Sequence, residues 1–342
     1  MKTAALSTSR PGSPLATLTW LLRREFWENK GSMLWAPAIL ATLLVVLLGG
    51  VVGFGVAQHG LPEHVYFGTT EVPHSMLAES ISDETRASLA MLLTSNYLAL
   101  TSPLFAVLAG VSFFYCLGAL YDERRDRSIL FWKSLPVSDA MTVLSKAATA
   151  LVLAPAITVA LITVSSLLLL LVACGVLAAM GVNIIPQVVS SSRLYLAPLS
   201  LLAVLPVYAV WALPTAGWLL LVSSWARSKP FLWAVIAPLV ALLVVKWVAL
   251  ALGGFGGTEQ DLMHFAKGIV ARLLGGLIPG FWFTFDGQQL PANVASQQGL
   301  VLGNFVAASW KSLASVDAWS GAVAGIAMLA GAARLRRWRD EG

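Results

Sequence analysis

Charged residues are scarce in this sequence, 11% of 342, against about 25% in an ordinary soluble domain. With 58% hydrophobic residues, the chain has too little charge to cover a water-facing surface, so an ordinary soluble fold is excluded. Cysteine is nearly missing too. Cys116 and Cys174 lie inside apolar runs, where they read as small core residues rather than a disulfide or a metal pair. The four histidines, His59, His64, His74 and His264, lack the His-Glu-x-x-His spacing that puts two zinc ligands on one helical face. No Gly-x-x-x-x-Gly-Lys-Ser/Thr loop is there to cradle phosphates, so ATP hydrolysis is not expected of this chain. Ser165, Ser166 and Ser190 to Ser192 lack a Gly-x-Ser-x-Gly context, and they are read as hydrogen-bonding to backbone or to another helix. Fixed-period repeats, low-complexity tracts and a soluble segment large enough to hold its own core are absent as well.

What is abundant is apolar sequence in long runs. A helix crosses a hydrocarbon core in about 20 residues, and in lipid it satisfies its own backbone hydrogen bonds. Runs at about 34–57, 91–120, 147–180, 194–222, 231–252 and 316–335 meet that length. The expected fold is an all-α integral membrane protein with six transmembrane helices, in one domain over 1–342. The second and third runs are long enough to tilt or project into water, and Pro198, Pro206 and Pro214 predict a kink or partial break in the fourth. The first run begins near Met33, too late for an ordinary signal peptide, so the first span is expected to be retained.

Lys and Arg next to span ends resist translocation, so their distribution sets orientation. With both termini inside, the inner side holds Lys2, Arg10, Arg23, Arg24, Lys30, Arg124, Arg125, Arg127, Lys133, Lys146, Arg227, Lys229, Arg334, Arg336, Arg337 and Arg339. The outer side holds Arg86, Arg193, Lys246, Lys267, Arg272 and Lys311. Sixteen against six favours this assignment. The net charge of +5 therefore sits beside the membrane, where it sets topology and meets lipid headgroups, and nucleic acid is not an expected partner. Within the predicted spans the ionisable residues of the Asp, Glu, His, Lys and Arg types are Lys246, Asp317 and Arg334, each near a surface. Proton-coupled carriers usually keep such groups near mid-membrane, so that class is disfavoured.

Before the first span, Leu15, Leu18, Leu22 and Phe26 follow helical spacing while Arg23, Arg24 and Glu28 point elsewhere. Residues 15–30 read as an interfacial amphipathic helix with Trp20 and Trp27 in the headgroup zone, or as an extension of the first span. The long outer segment 253–315 holds helical spacing from Asp261 to Leu274, and Phe281, Trp282, Phe283 and Phe285 read as interfacial aromatics.

The first inner loop, YDERRDRSILFWKSLPVSDAMTVLSK from Tyr121 to Lys146, is more patterned than a connector needs. Charges from Asp122 to Arg127 lead into Ile129, Leu130, Phe131 and Trp132, and Pro136 then stops that element. Ser138 or Asp139 can N-cap the following helix. Exposed aromatics on a short helix there suit either docking of a soluble partner or anchoring in headgroups.

This loop resembles the first inner loop of ABC (ATP-binding-cassette) type-2 transporter permeases, with a charged start, a short coupling helix and a Leu-Pro-x-Ser turn into the third span. Glu123-Arg124, Ser128 to Ser134 and Leu135-Pro136-Val137-Ser138 occupy those parts, while Arg127-Ser128 stands where the family often has Gly-Thr. The overall layout resembles the family over nearly the whole chain. The resemblance implies ATPase-coupling roles for Glu123, Arg124, Arg127, Ser128, Ile129, Leu130, Phe131, Trp132, Leu135 and Pro136. It also implies two permease copies, here a homodimer, joined to a cytoplasmic ATPase dimer in a bacterial inner membrane. ATP and Mg would then be held by the partner, with no cofactor on this chain. Spans rich in Leu, Val and Ala favour a hydrophobic or amphipathic cargo such as a lipid, peptide antibiotic or drug. Two other classes stay open: a membrane enzyme acting at the outer face through His59, His64 and His74, and a scaffold that holds an ATPase but moves nothing.

Overall fold

A computed structural model describes residues 14–59, 64–67, 70–73, 82–127, 137–252, 258–284, 295–296, 299–300 and 302–338. Helix dominates them, and six helices are long and apolar enough to cross a membrane. The chain is a multi-pass membrane protein.

Helix α1 (Pro14–Lys30) passes through a π-helical turn at Gly31–Trp35 into α2 (Ala36–His59) without an intervening loop. A non-helical backbone at Asn29 (φ −108°, ψ 15°) marks the bend between them. Strands β1 (His64–Phe67) and β2 (Thr70–Pro73) form a short antiparallel hairpin. The second span is not one helix: α3 (Asp83–Asn96) gives way to a 3-10 turn at Ala99–Thr101, and α4 (Pro103–Gly118) restarts with proline in its first turn. Proline there lacks an N–H that the start of a helix would leave unpaired anyway. A small helix α5 (Tyr121–Arg125) follows.

Helix α6 (Asp139–Ala148) is capped by Ser138, whose hydroxyl accepts from the Met141 N–H at 3.2 Å, and it continues through a π turn at Thr149–Leu153 into α7 (Ala154–Ala179). Then come α8 (Ile185–Ser190), α9 (Ser192–Trp225), α10 (Pro230–Leu252), and α11 (Thr258–Gly275). A minimal hairpin pairs β3 (Ala295–Ser296) with β4 (Gly299–Leu300), before α12 (Leu302–Ser312) and α13 (Val316–Trp338).

The partial break that proline could have caused in the fourth span does not occur: α9 remains a single helix of 34 residues with Pro198, Pro206 and Pro214 inside. The physical reason is visible at Pro198. Its missing N–H leaves the Leu194 carbonyl without a helical partner, and the Tyr97 hydroxyl donates to that carbonyl at 2.9 Å. The same repair occurs in α10, where Pro238 frees the Ala234 carbonyl and the Trp218 indole N–H donates to it at 3.0 Å. Between helices, the Thr101 and Ser166 hydroxyls share a buried hydrogen bond of 2.6 Å, while Ser165 bonds back to the Leu161 carbonyl.

The described residues within 253–315 also differ from their sequence reading. Trp282 and Phe283 are buried rather than interfacial, in a 3-10 turn at Phe281–Thr284 whose Trp282 indole donates to Ser309 of α12 at 3.2 Å. Helix α12 itself was not foreseen. Phe285 lies outside the described residues.

The core centres on α9, which packs against α13 along much of its length. Close approach is possible because glycines face each other. A Cβ on Gly217 would sit 2.6 Å from the Gly325 carbonyl oxygen, and one on Gly325 would sit 2.7 Å from the Leu213 carbonyl oxygen. Backbone cannot yield as a side-chain tip can, so Gly325→Val should force the helices apart at a cost of about 1–3 kcal/mol. Thermal unfolding in detergent checks this. An unchanged midpoint would mean that the helix contact is not tight.

Candidate functional site

One end of the helix bundle holds a buried network of charged side chains drawn from four separated stretches of sequence. It is called the basal end below. Glu25 comes from α1, one helical turn after buried Leu21, so both face the bundle. Lys146 comes from α6, Glu123 from α5 and Arg336 from the last turns of α13.

Lys146 sits at the centre. Its Nζ lies 3.0 Å from Glu25 Oε1 and 2.9 Å from Glu123 Oε1. The Tyr115 hydroxyl of α4 donates to Glu25 Oε2 at 2.7 Å, so both oxygens of that carboxylate are engaged. Arg336 donates from Nη1 to Glu123 Oε2 and from Nε to Asp139 Oδ1 at 3.0 Å. Arg24 adds its Nε to Glu28 at 2.7 Å and its Nη2 to Glu123 at 3.8 Å. The side chains of Glu25, Lys146 and Arg336 are each at most 4% exposed.

Burying ions costs several kcal/mol each, and only close pairing with further hydrogen bonds offsets that cost. At Glu123, which lies past the turn that ends α4, burial raises the carboxyl pKa. The cations Lys146 and Arg336 outweigh burial and hold it below the ordinary carboxylate value. The arrangement fixes α1, α5, α6 and α13 to one another through charge-assisted bonds that none of the four could satisfy alone.

A second set of bonds locks α5 to α9. Arg124 Nη2 donates to the carbonyls of Ser223 at 2.6 Å and Ala226 at 2.9 Å, at the C-terminal end of α9 where carbonyls lack helical partners and a cation is favoured. The Ser223 hydroxyl accepts from the backbone N–H groups of Leu120 and Tyr121, at 3.0 and 2.9 Å.

Of the residues singled out in the sequence, Glu123 and Arg124 are thus brought into buried contacts. Arg127 ends the charged stretch with a positive φ of 55°. Ser128, Ile129, Leu130, Phe131, Trp132, Leu135 and Pro136 lie outside the described residues. Trp20, Arg23 and Trp27 are exposed on α1, whereas Arg24 turns inward to Glu28 and Glu123 rather than away from the bundle. Sequence reasoning missed Glu25 and Tyr115 altogether, and it took Lys146 and Arg336 only for topology signals and Asp139 only for a helix cap. A signal was present for Glu25, an acid one turn after Leu21 on the side of α1 that helical spacing turns inward.

The network has a geometric consequence. Residues 128–136 connect α5 to α6, and Arg336 grips a carboxylate on each side of them, Glu123 before and Asp139 after. A wide cleft of about 890 Å³ opens beside the network, between α1 and α4. No family model, no curated protein and no solved structure matches the chain.

Proposed function

We propose that this chain is the membrane permease subunit of an ABC-type exporter, moving a hydrophobic or amphipathic substrate with ATP hydrolysed on a separate cytoplasmic ATPase. In this reading two copies form a homodimer, both termini are cytoplasmic, and the basal end faces the cytoplasm. The observation that carries it is the double grip of Arg336 on the feet of the loop at 128–136. A loop whose feet are cross-braced to α1, α6 and α13 moves those elements when it is pushed, which is what a coupling element must do. Force from ATP-driven closure of the ATPases would reach three spans through one charge cluster, provided that ATP binds the two access states unequally.

The experiment is copurification of the tagged chain in mild detergent. The expected result is a stoichiometric partner that hydrolyses ATP, with no hydrolysis by the permease alone. Phe131 and Trp132, read as the aromatic anchors of the coupling helix, should each contribute about 2 kcal/mol or more to that association. The Phe131→Ala/Trp132→Ala variant should insert normally and lose the ATPase. Undiminished copurification by that variant would leave the two residues as headgroup anchors.

A further inference from the structure

The cleft beside the ion network is not accounted for by coupling. Its volume of about 890 Å³ falls in the range of about 300–1,000 Å³ that small-molecule sites occupy. Its lining changes character along one stripe of the chain. Val107, Gly110, Val111 and Phe114 follow the i, i+3, i+4, i+7 spacing of a single helical face, and they supply an apolar wall. Beyond the end of α4, the lining turns to charge, with the carboxylates Glu25, Glu28, Asp122, Glu123 and Asp126 against the cations Arg24 and Lys146.

Two details make this a space rather than a seam. A Cβ built on Gly110 meets nothing within 4 Å, so the helix face there borders open volume, and Phe114 one turn further on is 64% exposed. The rim carboxylates are also wet, with side-chain exposures of 46% for Glu28, 57% for Asp122 and 61% for Asp126. Their basic neighbours are shared. Arg24 serves both Glu28 and Glu123, and Arg125 serves both Asp122 and Asp126. Acid therefore exceeds base at the rim, while the wall above it is apolar. A ligand that satisfies both needs an apolar tail and a cationic head, whereas an anionic lipid would meet like charge.

We propose that this cleft binds an amphiphile whose head carries a protonated or quaternary amine, with its tail on the Val107–Phe114 wall and its head at Glu28, Asp122 and Asp126. Placing it in the cytoplasmic leaflet rests on the orientation proposed above. The binding itself does not need the ATPase, so it is tested on the purified chain alone and stands or falls separately from the exporter reading.

The test is a titration of the detergent-purified chain with dodecyltrimethylammonium, with tetramethylammonium as the head alone and dodecanoate as the tail with opposite charge. Saturable binding of the first is expected, with no measurable binding of the second and at least tenfold weaker binding of the third. Gly110→Trp, whose Cβ would meet nothing within 4 Å and whose indole would extend into the cleft, should weaken binding at least tenfold. Glu28→Gln with Asp126→Asn should do the same through the head, in a variant independent of the first, each checked for a wild-type melting profile. Competition by an ethanolamine phospholipid but not by a glycerol phospholipid assigns the site to a lipid headgroup, and its absence assigns it to a free lipophilic amine. Wild-type affinity in both variants, or equal binding of dodecanoate, would overturn the proposal.

Discussion

Lys146→Met is expected to destabilise the chain by about 3–5 kcal/mol, the usual cost of removing one partner from a buried ion pair. Methionine keeps the apolar length of the lysine stem, so lost packing contributes little. What is lost is the only cation within 3.0 Å of Glu25 among the described ion pairs, and one of those holding Glu123. Glu25 would keep its bond from Tyr115, and Glu123 its bond from Arg336, but neither would be neutralised as before. Adding Glu25→Gln to Lys146→Met should recover part of the loss, because one uncompensated buried charge is then gone. A double-mutant cycle on melting midpoints in detergent measures that coupling. A single-variant loss below about 1 kcal/mol would mean that water reaches the cluster and screens it. The wild-type protein should also lose stability in acid. A carboxyl held below its ordinary value stabilises the fold above the unfolded pKa of about 4.3, and that contribution disappears as pH falls through the folded value.

Arg336 should show the second large effect, and one with a location. Removing it as Arg336→Met leaves Glu123 and Asp139 without the guanidinium that joins them, at a cost of about 3 kcal/mol or more. Arg336→Lys should cost less, about 1–3 kcal/mol. A lysine keeps the charge but cannot present two N–H groups in the fixed fork that reaches both carboxylates. Hydrogen exchange distinguishes a brace for the loop from a general stabiliser. In Arg336→Lys, exchange should rise at 120–127 and 137–145, and stay unchanged where α9 meets α13 around Gly217 and Gly325. A uniform rise across the bundle would remove the loop-bracing role.

Much of the architecture was legible in the chain before any tertiary contact was considered. Six apolar runs, each long enough to cross a bilayer, leave little alternative to six helices once unpaired backbone in lipid is excluded. Ser138 reads as a cap because its position before Asp139 places a hydroxyl at the free N–H groups of a helix start, and the bond to Met141 is there. Local geometry settles both cases. The errors came where a distant residue alters a local rule. Proline could have broken α9, but the helix runs on, and the hydroxyl of Tyr97, almost a hundred positions earlier, satisfies the carbonyl that Pro198 leaves open. Trp282 and Phe283 have the composition of an interfacial belt, yet α12 supplies a covering surface and a hydrogen-bond acceptor, so they go inside.

The ion network divides in the same way. Sequence alone placed Lys146 and Arg336 beside span ends, because a cation there needs only nearby headgroups or water, and it marked Glu123 through the pattern of the loop. It could not pair them. Glu25, Glu123, Lys146 and Arg336 are spread across more than three hundred residues, and a pairing between them depends on how four helices close upon one another. A charged side chain at a membrane boundary has two stable outcomes, solvated at the surface or paired within the bundle, and composition does not distinguish them. The sequence by itself determined the six apolar spans and the charged ends that flank them, since bilayer thickness and backbone hydrogen bonding act on each segment alone. Only the tertiary structure decided which of those charges left water, because desolvation is offset only where opposite charges from separate helices meet at about 3 Å.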